Sequence, residues 1–379
     1  MFKILFLVLG LLVSTSSSVI VTAPVATKLG KRSLRAPEKM PIVYHEGYNF
    51  SEQLQRLHPF DGAKFRKVFQ RISQKFGLSP DQFFEPQGMV TEEQLQEVHT
   101  KEYLASLNNP QSLASILEVP FLSRFPNDLL QKEIVRPMKL ATRGTIDAVR
   151  LACKHGWAIN LGGGYHHAKS GNGEGFCIFA DIPLAVYAVK QSNPEVQRVL
   201  IVDLDAHQGN GFEKIFTERK DQDKKLGLEV ATFDMYNDDR YPSKMDRPPT
   251  VDLAYNYPLH DDCDTKTYLK ILKTNLPKAI KEFKPDIIIY NAGTDPLAGD
   301  ELGKMQVCSQ GIVERDEFVF RLARGQNIPI TMLLSGGYTK KSAEVIGNSI
   351  INLKDKGLLK IGALPQAECK KLLKSLSEK

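Results

Sequence analysis

No CxxC pair occurs in this chain. Its five cysteines, at 153, 177, 263, 308 and 369, are odd in number and widely spaced, which argues against a disulfide framework and for reduced thiols. An interior basic stripe is also missing. The 50 Lys and Arg exceed the 44 Asp and Glu by only six, and the excess lies largely in Lys28–Lys39 and Lys370–Lys379. Solvated ends follow from that placement, and no direct nucleic-acid binding is expected. From Pro41 onward there is no internal repeat, no low-complexity tract and no Pro/Gly/Ser-rich linker long enough to split the chain. What the chain does have is 42% hydrophobic content over 379 residues, ample for one sizeable core.

The N-terminus, MFKILFLVLGLLVSTSSSVIVTA, carries one lysine and an apolar stretch from Ile4 to Val13. It reads as a signal peptide or membrane anchor and is short for a spanning helix. The segment up to Met40 has several basic residues and one acid, as a transit peptide or linker would. Residues 1–40 are therefore set apart from the fold, 41–365 are read as one catalytic-sized domain, and 366–379 as a basic C-terminal tail. The signal-like start and the reduced thiols point to opposite compartments, which leaves the compartment open.

Short apolar runs recur at Ala158–Leu161, Val199–Leu204, Val230–Phe233, Ile287–Tyr290 and Ile328–Leu334. Between them lie helical periodicities at Ile182–Lys190, Tyr268–Phe283, Ile312–Ala323 and Lys341–Leu353, and Thr91–Leu107 also reads as helix. This alternation predicts an α/β fold with a central, mostly parallel sheet flanked by helices in three layers. In such sheets ligands bind beyond the carboxyl ends of the strands. Chemistry-bearing residues follow the apolar runs: GGGYHHAKSGNGEGF after Leu161, DLDAHQGNG after Val202, NAGTDPLAGDE after Tyr290 and SGGY after Leu334.

Side chains alternate along an extended segment, so Asp203, Asp205 and His207 fall on one side of it. Taken alone, Asp205 could cap the next helix and His207 could be a turn histidine. With Asp295 at another strand end, the three instead suit a metal site that keeps a position for water. His166 and His167 follow three glycines and project in different directions.

In order and spacing, these segments resemble the histone deacetylase family with its arginase-like fold. AINLGGGYHH, DAHQGNG, FDMYN, GIVERDEFVFR and SGGYTKKSA look like its class IV branch, and the resemblance spans about residues 44–353. It implies one Zn2+ held by Asp205, His207 and Asp295, with His166, His167 and Tyr338 as catalytic groups. Asp203 would stand behind the first histidine and Asn210 behind the second. A structural K+ near Asp203 and Asp234 is also implied. Gly163, Gly164, Gly175, Phe176 and Leu302 would line the channel for an acyl-lysine stem. Many relatives carry Asp at the place of Asn210, whereas Asn fits the class IV pattern; a neutral partner favours a neutral, basic His167.

The expected activity is removal of acyl groups, acetyl or long-chain fatty acyl, from lysine in histones or other proteins. The family also suggests a nuclear or cytoplasmic setting and corepressor partners. Two other readings stand beside it. One is deacylation of a small molecule such as an acetylated polyamine, favoured by Asp238, Asp239, Asp261 and Asp262 if they edge the entrance. The other is a weakly active scaffold, disfavoured by the complete set of ligands, histidines and tyrosine.

Overall fold

The computed structural model describes residues 39–50, 61–247 and 253–377. All but the last two residues of the signal-like segment 1–40 lie outside it. Eight strands form one sheet: β1 Met40–Val43, β2 Phe83–Phe84, β3 Trp157–Asn160, β4 Arg198–Asp203, β5 Glu229–Asn237, β6 Ala254–Leu259, β7 Ile287–Asn291 and β8 Ile330–Leu333. Their order is β2-β1-β3-β8-β7-β4-β5-β6, and every pairing is parallel.

The longer helices are α1 Lys64–Phe76, α2 Arg136–His155, α3 Asp181–Ser192, α4 Asn210–Lys225, α5 Thr265–Phe283, α6 Ser309–Gly325, α7 Ser342–Asp355 and α8 Gln366–Ser377. They cover both faces of the sheet. Along β4, Val199 and Ile201 belong to the core shared with α3 and α4, while Leu200 and Val202 belong to the core shared with α1 and α5 to α8, and α2 contributes to both. Because both faces are dry, the central strands are continuously apolar instead of alternating; IIIYN of β7 is buried at every position. Among the described residues no helix is long and apolar enough to cross a membrane.

Two expectations change. The stretch Thr91–Leu107 is two short helices, Glu92–Gln96 and Lys101–Ser106. Its periodicity is helical throughout, but the Thr91 and Thr100 hydroxyls each accept a backbone N–H, from Gln94 and Tyr103, and so cap two separate starts. The supposed basic tail is largely α8, which packs on α6 with Cys369 and Leu372 buried and Lys370, Lys371 and Lys374 facing out. Its lysines mark an outer face, and the folded unit runs past residue 365.

Leu372→Ala should therefore lower unfolding free energy by about 2 kcal/mol or more, whereas Lys371→Ala should change it by less than about 0.5 kcal/mol. Denaturant midpoints of the two variants would show whether α8 belongs to the core.

Candidate functional site

Strands β3, β8, β7 and β4 are neighbours in the sheet, so their carboxyl ends open onto one rim. The loop after β3 is held by Asp181, at the start of α3. Its carboxylate accepts the N–H groups of Gly164 and Tyr165, each at 2.8 Å, and the Thr145 hydroxyl at 2.6 Å. Gly164 adopts φ +83°, and a Cβ there would lie 2.2 Å from Asn291 Oδ1. Only glycine meets both demands, and the turn aims His166 and His167 into the rim.

Asp205, His207 and Asp295 bring one ligand atom each to within 4.8 Å of one another, all buried. His207 Nδ1 lies 3.0 Å from Asp205 Oδ1 and 2.9 Å from Asp295 Oδ2. The remaining carboxylate oxygens are occupied: Gly336 N–H donates to Asp205 Oδ2 at 3.1 Å and Ala206 N–H to Asp295 Oδ1 at 2.8 Å. A Cβ on Gly336 would sit 2.5 and 2.6 Å from oxygens of the two acids, so the backbone closes directly over them.

A single Nδ1–H can point at only one of the two carboxylates. Burial, followed by the charge of Asp205, pushes Asp295 up to about 7. Burial opposes charge on His207, yet hydrogen bonds to Asp205 and Asp295 hold its pKa well above the ordinary value. Both shifts express a shortage of positive charge at this point. Two carboxylate oxygens and one imidazole nitrogen converging there make a donor set that fits a divalent cation.

The two histidines differ in environment. His166 Nδ1 is 2.8 Å from Asp203 Oδ2, whose other oxygen accepts Asp205 N–H at 3.1 Å and Asn291 Nδ2–H at 3.0 Å. Burial lowers its pKa, but Asp203 and Asp205 outweigh burial and raise it. His167 Nδ1 is 2.8 Å from Asn210 Oδ1. Burial, then charge on His166 and His207, puts its pKa well below the ordinary value. With the ring centroids 4.0 Å apart, one imidazole is disposed to be charged and the other neutral.

The Tyr338 ring lies 6.0 Å from Phe176 and 6.5 Å from His207. Its N–H is anchored on Asp300 Oδ2 at 2.8 Å. Burial, with Asp295 and Asp205 nearby, keeps its phenol protonated far above the ordinary range, so it remains a hydrogen-bond donor.

Gly163, Gly164, Gly175, Phe176, His166, His167, Asp205 and Tyr338 all line one cavity of about 910 Å3, counted out to its open mouth. Leu302, expected in the channel wall, does not line it. Its N–H turns to Asp300 Oδ1 at 3.0 Å, so the loop is used to brace Asp300.

Sequence reasoning passed over Asp181, Asp300, Glu174 and Lys64. Lys64 is fully buried and donates to the carbonyls of Ser335 at 2.7 Å and Gly336 at 2.9 Å. Burial lowers its pKa to about 8 against the pull of Asp295 and Asp205. Lys64, Val68 and Ile72 share the buried stripe of α1, and a lysine in an apolar i, i+4, i+8 series was a legible signal.

A buried acid pair short of positive charge thus lies beside two imidazoles whose pKa values are pushed in opposite directions. The family model for the histone deacetylase domain matches residues 58–353, and the chain belongs to this family of hydrolytic deacetylases. It is 41% identical over 327 residues to "Histone deacetylase 2" of Arabidopsis thaliana, covering 85% of this chain and 80% of that protein. It is 34% identical over 195 residues to "Histone deacetylase 1" of Homo sapiens, covering 48% of this chain and 36% of that protein. The solved HDA15 HD domain shares the fold with TM-score 0.66 at 20% identity, over 90% of this chain and 95% of that one.

Asp295→Ala should abolish both bound divalent metal and hydrolysis while leaving the circular dichroism spectrum unchanged. Metal analysis showing full occupancy in the variant would remove Asp295 from the ligand set.

Proposed function

We propose that the protein is a zinc-dependent hydrolase of acyl-lysine in proteins or peptides, of the class IV type, and that it prefers long acyl chains to acetyl. The observation that carries this reading is the wall of the cavity. Beyond the polar groups it is lined by Leu117, Val119, Leu122, Ile134 and Met138, four of them buried. Each methylene taken from water into such a wall contributes up to about 0.8 kcal/mol. An acetyl group would leave most of this surface uncovered.

Zinc held by Asp205, His207 and Asp295 would supply a Lewis acid and lower the pKa of its water. The rest of the chemistry belongs to the chain. Neutral His167 takes the proton of the attacking water at Nε2 while Nδ1–H stays on Asn210. His166, charged through Asp203, stabilises the negative charge that develops on the acyl oxygen. Tyr338 donates its hydroxyl hydrogen bond to the same oxygen. As the amide C–N bond breaks, His167 returns the proton to the departing lysine amine, giving carboxylate and free lysine.

A potassium ion beside Asp203 and Asp234 belongs to this proposal as a structural element. The two acids are register partners on β4 and β5, and Asp234 Oδ1 is buried without a hydrogen-bond donor.

The polyamine reading draws on Asp238, Asp239, Asp261 and Asp262, but none of them lines the cavity and three of them are paired with basic side chains. Asp238 pairs with Lys244 and Arg247, Asp261 with Arg240, and Asp239 with His260 at 3.2 Å. That pairing favours a peptide-borne substrate.

On one peptide carrying acetyl, octanoyl or myristoyl lysine, kcat/KM should rise with chain length, and Leu122→Trp should depress the long-chain rates by at least ~10-fold, about 1.4 kcal/mol, with little effect on acetyl. Equal rates for all three acyl groups would reject the long-chain preference. Tyr338→Phe should lower kcat by at least ~10-fold with zinc still bound; unchanged turnover would reduce Tyr338 to a packing residue.

A further inference from the structure

The group behind His167 is an amide, and an amide poses a question that a carboxylate does not. Its two ends are alike in shape, but one accepts and the other donates. With oxygen toward His167 Nδ1, the imidazole proton sits on Nδ1 and Nε2 keeps its lone pair. With the NH2 group toward Nδ1, that nitrogen must accept, and the proton moves to Nε2, which can then no longer take a proton from water.

Glu174 decides between the two. It lies 36 residues from Asn210, and Asn210 Nδ2 donates to Glu174 Oε1 at 2.7 Å. An ionised carboxylate only accepts, so the NH2 end must face Glu174 and the oxygen must face His167, where it is found 2.8 Å from Nδ1. Glu174 is itself fixed. Its Oε2 accepts Lys169 Nζ–H at 2.7 Å and Asn172 Nδ2–H at 3.2 Å, and its backbone bridges to Cys177. Hydrogen bonds from Lys169, Asn210 and Tyr241 hold its carboxyl below the ordinary value although burial opposes them.

We propose that Glu174 is a positioning residue that locks the Asn210 amide, and through it the His167 tautomer, with Nε2 kept free as the base. Glu174 touches neither the proposed metal ligands nor the reacting atoms. Its carboxylate is one amide removed from the imidazole, so it passes on orientation without placing a full charge against the ring.

The inference rests on the acyl-lysine hydrolase reading, and the test separates the two. Wild type, Glu174→Gln, Asn210→Asp and the double variant are compared as zinc-loaded full chains. A glutamine can meet either end of the amide, so Glu174→Gln should lower kcat about 10-fold, the loss of one charge-assisted bond, with KM within about 2-fold. In the Asn210→Asp background two carboxylates face each other, and the same change should raise kcat, because the glutamine amide then donates to the introduced carboxylate. A residue that only supports the channel wall would lower activity in both backgrounds, and that result overturns the proposal.

A second measurement needs no turnover. With 15N-labelled histidine, His167 should show a protonated Nδ1 in wild type and a mixture of tautomers in Glu174→Gln. A His167 signal that stays fully Nδ1-protonated in the variant also overturns the proposal. If wild type hydrolyses no acyl-lysine peptide, the hydrolase reading fails, while the tautomer measurement still decides the role of Glu174.

Discussion

Asp205 and Asp295 meet across His207 Nδ1 at the end of a sheet buried on both faces, and burying two negative charges there would cost several kcal/mol each if nothing balanced them. Much of the surrounding structure answers that demand. Backbone N–H groups from Gly336 and Ala206 take one oxygen of each acid. The Lys64 ammonium is drawn into the interior and tied to the carbonyls of Ser335 and Gly336. Burial lowers the pKa of His166, but the same field outweighs burial and raises it. What is still missing is a concentrated positive charge at the point where the three donors converge, which is why the group reads as a cation site and not as an ion-pair network.

The parallel sheet is what allows this concentration of acids. Four neighbouring strands deliver their carboxyl ends to one rim, so residues from positions 166, 205, 295 and 338 meet without a long loop to position any of them. Register does the rest. Asp203 on β4 stands level with Asp234 on β5 and Asn291 on β7. The alternation that begins at Asp203 then turns Asp205 and His207 into the rim while Leu204 and Ala206 go to the core.

The parts that were legible in the sequence were those where one physical demand dominates. Val199–Val202 of β4 and Ile287–Tyr290 of β7 are apolar because helices dry both faces, and the acids of the candidate cation site follow them closely. The edge strand β6 was not legible: AYNYPL is half-exposed, contains a proline, and shows neither alternation nor a continuous apolar run. The tiny strand β2 has only two residues, too few for any period. Glu174 escaped for a different reason: it acts through Asn210, a partner far along the chain, and one sequence does not encode such a pairing in its spacing. Lys64 was legible as a lysine in the apolar stripe of α1, but its partners at Ser335 and Gly336 were not. Leu302 shows the converse error: it lies in a loop correctly tied to the site, but its backbone serves Asp300 and its side chain does not reach the cavity.

The contrast between the two histidines shows how one fold separates charge from orientation. Their rings are 4.0 Å apart and share almost the same burial, so burial alone would depress both pKa values alike. Asp203 bonds directly to His166 and reverses that effect. At His167 the direct partner is the Asn210 amide, and the nearest carboxylate on that side, Glu174, stands one residue further out. A carboxylate in place of the amide would fix the ring equally well but would favour the imidazolium, and two adjacent imidazolium rings would repel each other. Holding His167 through an amide satisfies its Nδ1–H without placing a negative charge against the ring, so the two adjacent imidazoles are pushed in opposite directions.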